Sequence, residues 1–184
     1  MSITNIIKHS YICMLISTLT LCNGCSFHLQ RLDDFPTTLS TVYITQPNTY
    51  DHGFTQELSR FFRRMQASIV KSSELSPITI TPSTIRYTSE SKALNSGSNA
   101  ISTTYSLHAT ISVLDKQGHT ILGPKSFSSS ETLSQNSTII NTSAKNTLMY
   151  SQLTHAIIPR ITAWLTSDNS QNTLQIAIEH SHDH

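Results

Sequence analysis

The chain has 184 residues, 12 basic against 11 acidic side chains and a charged fraction of only 12%. That balance gives no long-range basic field with which to hold nucleic acid. All three cysteines, Cys13, Cys22 and Cys25, fall at the beginning, so the remainder has no internal disulfide and depends on hydrophobic packing.

Residues 1–24 read as a signal peptide. Lys8 and His9 form a weak basic region, and the apolar stretch from Tyr11 to Leu21 is too short for a bilayer core, which takes ~20 residues. Gly24-Cys25 closes the run. A small residue before Cys at this place is the pattern at which bacterial lipoproteins are cleaved and the new N-terminal Cys is acylated. Cys25 fits better than Cys22, because bulky Leu21 precedes Cys22. The box departs from the usual form in carrying Cys22 where Leu is common. An ordinary secretory signal and a single membrane anchor are the competing readings. Ser26, rather than Asp, after Cys25 favours sorting to the outer membrane. Loss of Lys8 with the signal leaves equal numbers of basic and acidic residues, hence a mature formal charge of zero in a single domain.

After a linker to Pro36, Thr41 to Thr45 is β-branched and aromatic and reads as a strand. A helix is expected over Thr55 to Ser68, where Phe54, Leu58, Phe61, Phe62 and Met65 recur at helical spacing. Arg60, Arg63 and Arg64 fall away from that stripe and read as a solvated face before an anion site. Residues 77–134 form a strand region. Pro82 interrupts its first strand and implies an edge position or a bulge. Residues 94–99 form a turn. From Ile101 to Val113 apolar and Ser/Thr residues alternate strictly, which puts one face on a core and leaves the other polar. Asp115 to Gly118 is a hairpin turn, and Gly123-Pro124 marks a bend before Phe127.

A second helix, about Ala144 to Leu165, uses Leu148, Leu153, Ile157, Ile158, Ile161 and Leu165 as its apolar face. Pro159 lies within it and implies a kink or a break. Trp164 reads as a core or rim packer. Residues 168–184 read as a polar, disordered tail with one apolar patch, Leu174 to Ile178. His180, His182 and His184 alternate there without a rigid shell to support a metal, so no metal site and no cofactor are expected. The chain lacks GxSxG, HExxH, P-loop and paired-Cys zinc patterns. His108 has no nucleophile partner, and Asp33 and Asp34 stand alone in the linker. These absences point to a binding or assembly module and not an enzyme.

The opening Cys25-Ser26-Phe27-His28-Leu29-Gln30 resembles the Cys-Gly-Phe/Trp-His-Leu-Arg start of the LPS-assembly lipoprotein family, LptE. Phe35-Pro36-Thr37-Thr38-Leu39 is similar to that family's approach to its first strand, and the element order agrees from Cys25 to Leu165. Ser26, Gln30, Pro159 and Trp164 depart from the family pattern. The resemblance implies an α+β fold over residues 25–167: a two-layer sandwich of a four-stranded, mostly antiparallel sheet packed on two helices. It implies a lipid-anchored outer-membrane protein that plugs an LptD-type β-barrel, assists that barrel's assembly and contacts lipopolysaccharide. Lys145, in Ala144-Lys145, matches the family's basic residue before the final helix. Lys92 stands near, but not at, the family's second basic position before a turn. Each lysine also reads as an ordinary solubilising side chain. The competing function is a periplasm-facing lipoprotein that binds a hydrophobic ligand or serves another envelope transport machine. A surface adhesin or structural lipoprotein is a third reading. A lipid carrier should show apolar residues on both sheet faces, and the strand from Ile101 to Val113 shows them on one.

Overall fold

Tyr105, Leu107, Ala109, Ile111 and Val113 are all buried, while Ser102, Thr104, Ser106, His108 and Thr110 between them stay partly or fully exposed. This alternation is the period of a strand with one covered face, and it organises the computed structural model. The structure describes residues 35–47, 51–93, 100–136 and 143–181. Cys25 with its signal region and the expected turn at 94–99 lie outside the described residues.

Among the described residues, five strands form one mixed sheet: β1 (Thr41–Ile44), β2 (Ser68–Ile69), β3 (Ile78–Ala93), β4 (Ala100–Leu114) and β5 (Thr120–Asn136). The order is β2-β1-β3-β4-β5. β1 lies parallel to both β2 and β3, whereas β3, β4 and β5 are antiparallel neighbours along most of their length. The α+β class is as expected. The fifth strand is β2, a two-residue piece that pairs Thr41 with Ser68 and Val42 with Ile69. So short a strand leaves no period for a sequence reading to find.

Helix α1 spans Phe54–Arg64 and stops short of the expected Ser68, because the chain turns at Met65 and Gln66 to enter β2. Gln66 adopts a positive φ of 63° at that turn. Phe54, Leu58 and Phe62 are fully buried one helical turn apart, and Phe61 and Met65 are half-buried beside them. The second helix, α2 (Ser143–Leu165), runs through Pro159 without a break. Thr162 Oγ1 donates to the Ile158 and Pro159 carbonyls in that turn (3.1 and 2.9 Å). Met149, Leu153, Ile157, Ile161 and Leu165 form its buried stripe, while Leu148, expected inside, is 58% exposed. Met149 is in phase with Leu153 and Ile157 at i, i+4; Leu148 is rotated by one residue.

A third helix, α3 (Asp168–Ser181), stands where a polar tail was expected. Its anchor is narrow: Leu174 is fully buried, Ile178 and Ala177 are half-buried, Ile176 is exposed, and the rest is polar. Polar ties hold its first turns. Gln171 Nε2 donates to the Leu165 carbonyl (2.6 Å), and Thr38 Oγ1 donates to Gln171 Oε1. The helices pack on one side of the sheet, so the core is a single layer between them.

Two irregularities shape the long strands. The register of β3 on β4 shifts between Pro82 and Thr84, a bulge at the expected proline. In β5, Gly123 has φ +89°, and a Cβ there would meet the Ile111 carbonyl oxygen at 2.7 Å. Only glycine provides both that conformation and that approach. The bend expected at Gly123-Pro124 is thus a bulge inside a continuous strand, and its peptide bond is cis. At the hairpin, Gly118 takes φ +84°, and the Asp115 carboxylate accepts the His119 N–H (2.8 Å).

Candidate functional site

The uncovered face of β3, β4 and β5 is a sheet of hydroxyl groups. The register aligns Thr88, Ser106 and Ser130 in one row and Glu90, Thr104 and Thr132 in the next. Toward the distal end follow Lys92, Ser102 and Ser134; toward the hairpin follow Arg86, His108 and Ser128. These rows share a face because strand side chains alternate, and the intervening residues point to the helices. Some hydroxyls satisfy one another across strands: Thr104 Oγ1 with Thr132 Oγ1 at 3.0 Å, and Thr110 Oγ1 with Ser126 Oγ at 3.1 Å. Arg86, Glu90, Lys92 and His108 supply the only charged or titratable groups in these four rows. Such a surface can form many hydrogen bonds while burying few charges, so a polar wall can cover it at low desolvation cost.

Lys92 is exposed on this face, two residues beyond Glu90 on the same strand. Lys145 belongs to the first turn of α2 and is half-buried. Its neighbour Asn146 accepts the Tyr105 hydroxyl at 3.1 Å, which pins the start of α2 over the helix side of β4. The two lysines therefore stand toward the same end of the sheet but in opposite layers, and the structure does not bring them together on one surface. Cys25 lies outside the described residues.

Sequence reasoning missed a cluster where the helix cover meets the distal sheet. Rings of His52, Tyr87 and Tyr150 stand 4.8–5.0 Å apart, and Tyr105 joins Tyr150 at 6.1 Å. Thr154 Oγ1 donates to the Tyr150 carbonyl (2.8 Å) and so accepts from the Tyr87 hydroxyl (2.6 Å). Burial, opposed by the Thr154 bond and aided by the Asp51 carboxylate, pushes Tyr87 up to about 12. Asp51 itself caps α1, accepting the N–H groups of Gly53 (3.0 Å) and Thr55 (2.8 Å). Partial burial works against its charge, yet the hydrogen bonds from Thr55 and Gly53 prevail and hold its pKa below the ordinary value. No local motif announces this group, since its members come from four separate segments.

A second polar centre lies between α1 and α2. Glu57 is nearly buried and pairs with Arg60, with Arg64 (3.1 Å) and with His155 Nδ1 (3.5 Å). The arginines read from sequence as a solvated face are thus partly engaged. At the far edge, Trp164 packs on Phe127 as a rim residue, with ring centroids 5.6 Å apart, and Lys125 Nζ lies 5.3 Å from the Trp164 ring. The alternating C-terminal histidines reduce to His180 among the described residues, exposed and bonded to the Ile176 carbonyl.

No protein-family model matches the sequence, and no curated protein does. Solved structures match the fold. Lipoprotein B from Nitrosomonas europaea aligns over 85% of this chain and 97% of its own with a TM-score of 0.52 at 16% identity. A minor lipoprotein from Acinetobacter baumannii covers 74% of this chain and 95% of its own, with a TM-score of 0.48 and 17% identity. Rare lipoprotein B from Shewanella oneidensis covers 76% and 99%, with a TM-score of 0.42 and 11% identity. These structural neighbours are bacterial lipoproteins, and at such identities the likeness is one of fold.

Proposed function

We propose that this chain is a lipid-anchored envelope lipoprotein, acylated at Cys25, that acts as a plug and assembly subunit for an LptD-type outer-membrane β-barrel. In this reading it is not an enzyme. It holds the barrel's lumen in shape and serves the delivery of lipopolysaccharide to the outer leaflet, with Lys92 and Lys145 as separate cationic contacts for lipid phosphates.

One observation carries the proposal: the hydroxyl face of β3, β4 and β5. Large barrels are polar inside. A plug for such a lumen needs a broad, hydrogen-bonding surface with few charges that would have to be desolvated. The rows through Ser106, Thr104, Ser130 and Thr132 have that chemistry. The fold shared with lipoprotein B supports the same reading, as does the Gly24-Cys25 cleavage pattern.

Affinity purification of a tagged form from outer membranes tests it. A large β-barrel should co-purify in stoichiometric amount, and depletion of the lipoprotein should lower the folded barrel. The double substitution Ser106→Lys and Ser130→Lys should leave the fold intact and abolish that co-purification. Recovery of the lipoprotein alone, with barrel assembly unimpaired, would sink the proposal. Independently, Cys25→Ala should abolish lipid labelling; persistent labelling would mean another acylation site.

A further inference from the structure

The helix side of the molecule has a different chemistry from the hydroxyl face. Helices α1 and α2 together carry Arg60, Arg63, Arg64, Lys145 and Arg160 against one carboxylate, Glu57. The whole chain is almost balanced, so this excess is a local segregation of charge. Helix α2 contains no Asp or Glu in 23 residues.

Glu57 organises part of the excess. Its own side chain is only 9% exposed, whereas the Arg60 and Arg64 side chains that pair with it are 55% and 60% exposed. One buried carboxylate thus fixes two guanidinium groups at the surface, and each keeps donors beyond those that Glu57 accepts. Fixing them in advance lowers the entropy lost when they meet an anion.

Beside these groups runs a groove of about 380 Å³ lined by Phe61, Met65, Ile158, Pro159 and the Glu57–Arg64–His155 cluster. Glu57 and His155 also line a polar recess of about 160 Å³, which includes Gln56, Arg60 and Ser151. The seam therefore has an apolar half and a hydrogen-bonding half, with guanidinium groups along it. Half-buried Phe61 and Met65 at its margin are residue types that favour adaptable protein contacts.

We infer that the α1–α2 seam docks an acidic segment of a partner protein, which seats a bulky apolar side chain against Phe61, Met65 and Ile158 and sets carboxylates against Arg60 and Arg64. Charge complementarity selects the acidic partner. The groove is open along one side, and its apolar wall is short, made by Phe61, Met65, Ile158 and Pro159. That suits one or two side chains of a docked helix or strand better than a membrane acyl chain, which must bury many methylenes. This surface belongs to the helix layer and is separate from the hydroxyl face, so it stands or falls apart from the plug proposal.

The test titrates the full ¹⁵N-labelled chain with a synthetic amphipathic peptide, Glu-rich on one face and Leu/Phe-rich on the other. Saturable shift changes should concentrate at residues 56–65 and 151–159, and raised salt should weaken binding. A peptide with Lys for every Glu should not bind there. Removing Arg60 or Arg64 would strip Glu57 of a partner and disturb folding, so the decisive variants are Ser151→Glu and Met65→Glu. Ser151 is exposed on the recess and lies outside the Glu57 pairs, and either change should weaken the acidic peptide at least tenfold while leaving the remaining spectrum unchanged. Absence of saturable binding, equal binding of the Lys peptide, or indifference to both variants would overturn the inference. So would binding only to phosphatidylglycerol vesicles, which would reassign the layer to a lipid surface.

Discussion

The two faces of β4 are made by the same fifteen residues and behave as different materials. Toward the helices, Tyr105, Leu107, Ala109, Ile111 and Val113 are sealed from water; toward the outside, Ser102 to Thr110 offer hydroxyls and one imidazole. The inner face supplies stability through apolar area removed from water. The outer face contributes little to stability and is therefore available for recognition. Period-2 geometry permits this division within one strand, since a substitution on one side leaves the other unmoved.

That division predicts a large contrast in stability. Leu107→Ala should cost about 3 kcal/mol, through lost burial and the cavity left behind. Ser106→Ala, its neighbour on the outer face, should change stability by less than ~0.5 kcal/mol. Urea unfolding of both variants measures the difference. Similar midpoints would mean that the faces are not energetically distinct. Gly123→Ala should fall next, at about 2 kcal/mol, because it combines a positive φ with a contact of 2.7 Å to the Ile111 carbonyl. Its effect should show in the amide spectrum of both β4 and β5, since that bulge sets how the hydroxyl rows align.

The strict alternation from Ile101 to Val113 makes the two-faced sheet legible in the sequence itself, and the apolar spacing of Phe54, Leu58 and Phe62 does the same for α1. Pro82 announces its bulge. Where the signal is short or narrow, the sequence says little. Two paired residues create β2, and one buried leucine with two partly buried neighbours anchors α3, so neither pattern rises above a polar background. Leu148 reads as an inside residue because its apolar character does not reveal the helical phase that Met149 sets. The His52–Tyr87–Tyr150 cluster is illegible for a different reason: its residues meet only through strand register and helix packing. The hydroxyl face is visible as one side of one strand. Its extension over β3 and β5 requires the pairing.

Asp51 tests how the cover over the inner face is held at its edge. Its depressed carboxyl stabilises the fold above its unfolded value near ~4, and that contribution is lost as pH falls through the lower folded value. Asp51→Ala should cost about 1 kcal/mol at pH 7. The gap from the native protein should narrow at pH 3 and below. Urea midpoints at the two pH values check this; a gap that stays constant would show that the carboxylate's charge is not what caps α1.

Tyr87 gives the smallest effect and the finest probe, because it marks where the inner face changes from aliphatic to hydrogen-bonded. Its hydroxyl is driven up to about 12 by burial, against the Thr154 bond and with the Asp51 charge. An unfolded chain releases that proton near ~10, so ionisation favours unfolding once pH exceeds this value. The contribution of the neutral hydroxyl is complete below pH ~10 and declines as pH rises to about 12. Tyr87→Phe should lose less than about 1 kcal/mol at pH 7, because Thr154 still donates to the Tyr150 carbonyl and only an accepted bond disappears. The variant should also be less alkali-sensitive than the native chain between pH 10 and 12. In spectrophotometric titration, the native chain should show one phenol ionising late that the variant lacks. If the late ionisation persists in Tyr87→Phe, another tyrosine is the sealed one, and the boundary between the aliphatic and hydrogen-bonded parts of the inner face lies elsewhere.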